Sequence, residues 1–154
     1  MRYFAFLFIS IFLLGCSSER PDKAVLEYLK PIQISEYPIG ADFEKNKALK
    51  LWNEPDSIII NMDCMEMYYG KNEIHVTEGK INQVILTDSY FSINEINVGM
   101  DYREVANSLR VNKAEIPTAE LELIGSINNT KGSIFLYFKG GIVNKIIITH
   151  PTKN

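Results

Sequence analysis

An internal repeat constrains the fold of this chain more than any other feature of its sequence. The segment IGADF at residues 39–43 matches VGMDY at residues 98–102, and NQVILT at residues 82–87 matches NKIIIT at residues 144–149. The pairs are offset by 59 (98 − 39) and 62 (144 − 82) residues, so they occur in the same order at nearly the same spacing. Such repetition indicates duplication of one structural unit.

Each unit is predicted to contain one short helix. In the second unit, Asp101 is a favourable N-cap and Glu104 stands where a capping box needs an acid. Apolar side chains then recur at helical spacing, at Tyr102, Val105, Ala106 and Leu109. In the first unit, Asp42 is the expected cap. The expected buried face of that helix consists of Ala48, Leu51 and Trp52.

Strand patterns follow each helix. They predict strands at residues 57–69, 74–77 and 80–87 in the first unit, and at residues 121–127, 133–138 and 142–150 in the second. Neither three-stranded meander buries its apolar face alone, so the units are expected to share one sheet and core. The predicted fold class is therefore α+β, with two tandem units of one helix and a three-stranded antiparallel meander.

The length and composition of the chain favour one folded domain. The chain has 154 residues, of which 46% are hydrophobic, and this is enough to form a packed core. We expect a single domain over residues 21–154, opening with a short helix at residues 21–30. The repeats are expected at about residues 37–88 and about residues 96–150.

The first residues have the pattern of an export signal. Arg2 precedes an apolar stretch at residues 3–14, which ends at Gly15-Cys16 and is too short to span a bilayer. We expect a signal peptide at residues 1–15. The end of this stretch, LLGC, resembles the lipobox of bacterial lipoproteins, which implies that Cys16 becomes the lipid-bearing N-terminus. Residues 16–20 are then a tether, and the resemblance favours the outer membrane, facing the periplasm. The alternative is a plain secreted protein.

The sequence offers little support for catalysis or for a cofactor. His75 and His150 have no partners at the sequence spacings typical of metal sites. Cys64 lies in an apolar run and is expected to be a buried small side chain. Asp63 and Glu66 point to opposite faces if they share a strand. We therefore predict a non-catalytic protein with no metal and no cofactor. The net charge of −3, without a basic run, indicates that it binds no nucleic acid.

One segment resembles a known family. The sequence INVGMDYREV at residues 96–105 is similar to the Gly-Met, helix, Glu-Val signature of the SmpA/OmlA (BamE-type) outer-membrane lipoproteins. It is also similar to the related tandem fold of the β-lactamase-inhibitor proteins. This resemblance implies a fold that is mostly non-catalytic and that binds other proteins through sheet and loop surfaces.

A group of acidic and aromatic side chains is the candidate partner-binding surface: Asp63, Glu66, Tyr68 and Tyr69. Tyrosines provide large contact areas at small entropic cost. The alternative is that these aromatics belong to the core and the acids face solvent. The functional hypothesis is a membrane-anchored binding protein of the cell envelope, an inhibitor or immunity-type lipoprotein that binds a partner protein. The alternatives are a BamE-like accessory subunit of an outer-membrane assembly machine, and an enzyme fragment or ligand carrier.

The expected anchor is testable in cells. Cys16→Ala removes the side chain that would carry the lipid, so the protein should move from the membrane fraction to the soluble periplasm or stay uncleaved. Fractionation and gel mobility measure this outcome. A variant that fractionates and migrates like the unmodified chain would contradict the anchor.

Overall fold

The structure of the chain, a computed structural model, describes residues 20–127 and 130–150. The expected signal peptide and Cys16 lie outside these residues. Within them, the chain forms twelve strands, two α-helices and a 3₁₀-helix at Lys113–Glu115. The strands are β1 (Lys23–Tyr28), β2 (Gln33–Ile34), β3 (Tyr37–Pro38), β4 (Ser57–Asn61), β5 (Cys64–Tyr69), β6 (Asn72–Thr77), β7 (Lys80–Leu86), β8 (Ser92–Ile93), β9 (Ile96–Asn97), β10 (Glu120–Ile127), β11 (Thr130–Lys139) and β12 (Ile142–Thr149). The helices are α1 (Lys45–Trp52) and α2 (Tyr102–Leu109).

The described strands form two sheets. The large sheet has eight strands in the order β1-β10-β11-β12-β7-β6-β5-β4, and the small sheet has four in the order β3-β2-β8-β9. All neighbours in the large sheet are antiparallel except β1 and β10, which are parallel. The pairing of β12 with β7 joins the strands of the two halves of the chain into one continuous sheet.

Alternation along the strands gives the large sheet one buried face and one open face. On β6 the side chains of Asn72, Ile74 and Val76 are buried, whereas the residues between them are half-buried. The same alternation on β12 buries Ile146 and Ile148, and Val143 is buried on the other side of a register shift opposite Tyr137 and Phe138. Side chains of α1, α2 and the small sheet belong to the same core cluster. These elements therefore cover one face, and burying each large aliphatic side chain contributes about 1.5–3 kcal/mol.

Trp52, the last residue of α1, connects the layers. Its indole Nε1 donates to the carbonyl oxygen of Ile34 in the small sheet at 3.3 Å. Its ring centroid lies 5.0 Å from that of Tyr37, 6.3 Å from Tyr69 and 5.6 Å from Phe91. The indole therefore contacts both sheets, and its 1% exposure makes it one of the largest fully buried side chains.

The small sheet brings two short hairpins together. Ile34 of β2 pairs with Ile93 of β8, and hydrogen bonds from Ser35 N to Ser92 O and from Asn94 N to Gln33 O, each 2.9 Å, flank the pair. Each hairpin then leads into a helix. Asp42 bridges Lys80 at the start of β7, and Asp101 bridges Ile142 at the start of β12. Asp42 and Asp101, which occupy equivalent positions in the sequence repeat, thus make equivalent β-bridges.

The predicted architecture of two tandem helix-plus-meander units is wrong. The described residues are mostly β-structure with two short helices, and the hairpins of the small sheet were not predicted. The expected strand at residues 57–69 is two strands, β4 and β5, because Met62 (φ 48°) turns the chain and Asn61 pairs with Cys64. A tight turn thus lies within this apolar segment, where the sequence pattern did not indicate one. The strands that follow α1 therefore number four, β4 to β7, instead of three.

The predicted helix at residues 21–30 is also wrong. Residues 23–28 form β1, which pairs with β10 from Lys23 and Glu120 to Tyr28 and Gly125. Val25 and Leu29, two apolar residues of this segment, are 59% and 86% exposed. Pairing with the edge of a sheet outweighs the helical spacing of these residues, since secondary-structure propensity is weak compared with tertiary context.

The helix predictions fared differently in the two halves. The capping box of α2 is confirmed: the Asp101 carboxylate accepts from Arg103 N, and the Glu104 carboxylate accepts from Asp101 N, each at 2.8 Å. The N-cap of α1 is Glu44 rather than Asp42. The buried residues of α1 are Ala48 and Trp52, as predicted, but Leu51 is exposed.

Asn72 is the buried polar side chain of the described core. Its amide nitrogen donates to Tyr69 O at 3.2 Å and to Asp88 Oδ1 at 2.5 Å. Its amide oxygen accepts from Thr87 N at 2.9 Å and from Asp88 N at 3.3 Å. The side chain therefore ties the β5–β6 turn to the segment that follows β7.

Asn72→Ala should destabilise the protein by about 1–3 kcal/mol, because buried backbone groups lose their partners. Asn144→Ala, at an exposed position of β12, is the control and should change stability by about 0.5 kcal/mol or less. Urea denaturation measures both free energies of unfolding. Equal effects of the two substitutions would contradict the role of Asn72.

The pH dependence of stability should report the burial of Tyr69. Burial raises the pKa of Tyr69 to about 12 from the ordinary value of 10.0, and Tyr90 adds to the rise. The unfolded chain therefore ionises first, so the contribution of Tyr69 is complete below pH 10 and is lost as the pH rises towards 12. Tyr69→Phe should reduce the fall in the free energy of unfolding between these pH values. Identical declines in the two proteins would contradict this prediction.

Candidate functional site

The open face of the large sheet carries a polar cluster at the β5–β6 hairpin. Strand register places Glu66 beside His75, Tyr68 beside Glu73, and Cys64 beside Thr77. Side chains at alternate positions share a face, so these residues lie on one side of the sheet and the buried residues on the other. The side chains of Glu66 and His75 are half-buried, with exposed fractions of 26% and 18%. The cluster is therefore partly shielded from water.

Contacts within the cluster orient its side chains. The Tyr68 hydroxyl donates to Glu66 Oε2 at 2.8 Å. His75 lies between two carboxylates: its Nε2 is 3.3 Å from Glu73 Oε2, and its Nδ1 is 4.0 Å from Glu66 Oε1. The hydrogen bond to Glu66 raises the pKa of Tyr68, because only the neutral phenol donates.

Cys64 completes a set of three metal-ligand types. A ligand atom of Cys64, of Glu66 and of His75 all lie within 4.8 Å of one another. The prediction that Cys64 is a buried apolar side chain is wrong, because it is half-buried beside these polar groups. Sequence spacing missed the cluster, since His75 meets its partners across a hairpin. Correct placement of the tight turn at Gly70-Lys71 would have revealed the register.

The predicted partner-binding residues do not form one surface. Glu66 and Tyr68 are in contact on the open face, as described above. Asp63 is exposed in the β4–β5 turn, where its carbonyl oxygen accepts from Glu78 N at 3.2 Å. Tyr69 is 5% exposed and packs against the core aromatics. Two of the four residues therefore come together, and Tyr69 lies in the core.

The large sheet has an exposed apolar edge that was not predicted from the sequence. Strand β4 ends the large sheet, and Ile58, Ile59 and Ile60 are 37%, 44% and 71% exposed. Met62, in the following turn, is fully exposed. A groove of about 440 Å³ runs beside this edge, and Phe43, Ile60, Met62 and Met65 contribute to its lining. Large apolar side chains at a sheet edge are typical of binding surfaces.

The opposite edge of the sheet differs in charge. Strand β1 also exposes apolar side chains, but its sequence KAVLEY carries Lys23 and Glu27, and Lys30 follows it. Charged side chains on an edge strand oppose pairing with another chain. Strand β4, with the sequence SIIIN, carries none.

Within the part of the chain that the structure describes, no helix is long and apolar enough to cross a membrane.

Comparisons with known proteins do not assign the chain to a family. No family model and no curated protein matches it. One similar solved structure is an extracellular protein containing a SCP domain from Bacillus anthracis str. Ames, at 13% identity and a TM-score of 0.47, covering 72% of this chain and 43% of that one. Another is a cysteine-rich secretory protein from Staphylococcus aureus subsp. aureus Mu50, at 13% identity and a TM-score of 0.44, covering 82% and 50%. The chain thus spans half or less of the length of these proteins.

These findings correct two predictions. Membership of the SmpA/OmlA (BamE-type) and β-lactamase-inhibitor-like repeats is wrong, because the described chain forms two sheets with two short helices instead of tandem helix-plus-meander units. Classification as a tandem-repeat protein of the immunity type is likewise wrong, because the described residues contain no tandem helix-plus-meander units. Both similar proteins are described as extracellular or secretory.

Proposed function

We propose that this protein is a non-catalytic binding protein of the cell envelope that takes an extended segment of a partner protein along strand β4. The observation that carries the proposal is the exposed, uncharged apolar edge Ser57–Asn61. An extended peptide can add a strand to such an edge, with backbone hydrogen bonds for affinity and side-chain contacts for specificity.

The geometry of β4 suits strand addition. Among the described strands it pairs with β5 alone, so the row of backbone groups on its outer side faces away from the sheet. Alternate side chains of a partner strand would contact Ile58 and Ile60 on one face and Ile59 on the other. The groove beside Ile60 and Met62 provides further apolar contact for the segment.

Charge favours a basic partner over a second copy of this chain. Acidic residues lie at both ends of the edge, with Glu54 and Asp56 before β4 and Asp63 after it. In an antiparallel pair of two β4 strands centred on Ile59, Asp63 would face the Glu54–Asp56 end of the other copy. Like charges in that position oppose pairing. A segment with alternating apolar residues and a lysine or arginine at each end is complementary.

The envelope location adds to this proposal. The leader pattern at residues 1–15 supports export, and lipid attachment at Cys16 would hold the domain at the outer membrane, facing the periplasm. Tethering raises the effective concentration of a binding domain towards partners at the same membrane. A weak edge interaction would then be sufficient for function.

Defined peptides test the edge. A peptide of alternating valine and threonine with a lysine at each end should bind the protein, and the same peptide with glutamate ends should bind more weakly. Ile60→Lys and Met62→Lys should each weaken binding of the lysine-ended peptide by about tenfold or more, because they remove apolar contact and add like charge. The control is Leu29→Lys at the opposite edge, since Leu29 is 86% exposed and should not matter. Fluorescence anisotropy measures the affinities.

Hydrogen exchange locates the bound peptide. Amides of β4 should exchange more slowly in the complex, whereas those of β1 should not change. Equal protection at β1, or equal effects of Ile60→Lys and Leu29→Lys, would overturn the proposal. So would self-association that is lost in Met62→Lys, since that result would identify a second copy as the occupant of the edge.

A further inference from the structure

The β5–β6 hairpin brings a thiol, a carboxylate and an imidazole to one point on the open face. Cys64 and Glu66 are alternate residues of β5, and His75 is the register partner of Glu66 on β6. Their ligand atoms lie within 4.8 Å of one another. Ligands on a tetrahedral zinc ion, bound at about 2.0–2.3 Å, lie roughly 3.5 Å apart. Side-chain rotations that move the ligand atoms by about 1 Å would therefore bring them to the separation found around a zinc ion, without moving either strand.

Neighbouring side chains contact the imidazole and the carboxylate in the way that hydrogen-bond partners orient the ligands of metal sites. The Glu73 carboxylate faces His75 Nε2, which leaves Nδ1 directed towards Glu66. Tyr68 donates to Glu66 Oε2, which leaves Oε1, the oxygen nearest to Nδ1, for another partner. Histidine and carboxylate ligands are commonly oriented in this way by hydrogen bonds from their other atoms. Two ligands therefore already have their free atoms turned towards each other.

We propose that Cys64, Glu66 and His75 bind a divalent transition-metal ion of the Zn²⁺ class. Thiolate, imidazole and carboxylate are the three zinc ligand types, whereas Mg²⁺ and Ca²⁺ take oxygen ligands. Cys64 binds as the thiolate, so its proton is released to solvent when the ion binds. Water or a group of another molecule occupies the fourth position.

The electrostatic environment is favourable to a cation. Glu66 and Glu73 each carry a negative charge beside His75, and no Lys or Arg takes part in an ion pair with either residue in the described chain. The ion would replace the missing positive charge between these carboxylates. The partial burial of Glu66 and His75 strengthens this attraction, since the local dielectric constant is lower than in water. This proposal does not require peptide binding at β4, because none of its ligands lies on the edge strand and only Cys64 among them lines the groove beside it.

Cobalt provides a spectroscopic test on the full-length protein. Co²⁺ should bind with one ion per chain and show a thiolate-to-metal charge-transfer band, and Zn²⁺ should remove the band by displacement. Cys64→Ser and His75→Gln should abolish the band. Cys16→Ser and His150→Gln, which change the other cysteine and the other histidine of the chain, should retain it. Thermal melting without metal establishes that each variant is folded.

The supporting residue Glu73 separates a built site from adventitious binding. Glu73→Gln should weaken Zn²⁺ binding by about 10- to 100-fold while leaving the cobalt band in place at saturation. Zn²⁺ should also raise the Tm of the unmodified protein but not that of His75→Gln. Absence of the band in a folded protein, its survival in Cys64→Ser, or its equal loss in His150→Gln would overturn the site. Peptide binding at β4 should persist in His75→Gln, because His75 does not line the groove beside β4, so either proposal can fail without the other.

Discussion

Burial of a single face of the large sheet is the constraint on which the rest of this structure depends. Eight strands present alternate side chains to two sides, and the described helices and small sheet cover one of them. Trp52 makes this cover cohesive, because its indole contacts Tyr37 in the small sheet and Tyr69 in the large sheet. The hydrogen bonds of Asn72 then hold the end of β7 against the β5–β6 turn.

One-sided burial leaves the open face and the two edges for interactions with other molecules. On the open face, the two-residue turn of the β5–β6 hairpin sets the register that joins Glu66 to His75. At one edge, β4 exposes apolar side chains without charges, whereas charged residues protect β1 at the other. The uncharged edge at β4 is therefore suited to binding another chain, whereas the charged edge at β1 opposes such pairing and keeps the protein soluble.

The two proposed sites are neighbours on the sheet. Ile59 of β4 pairs with Glu66 of β5, and Asn61 pairs with Cys64, so the edge is one strand away from the proposed metal ligands. An ion held by β5 and β6 would restrain the hairpin that supports β4. A partner strand on β4 would in turn extend the open face beside the ion. The arrangement allows the two ligands to affect each other through strand β5 and through Cys64, which also lines the groove beside β4.

The sequence by itself determined the local features of this protein. The capping box of Asp101 and Glu104 depends on residues three positions apart, and the strands of the second half depend on alternation within each segment. Tertiary structure alone decided that residues 23–28 form a strand, that Met62 turns the chain, and that Cys64 meets His75. These outcomes depend on pairing partners distant in sequence or on a register that shifts with one misplaced turn. Side-chain pattern is a local property, whereas pairing energy is gained only when separate strands meet, and so the sequence reveals the first and not the second.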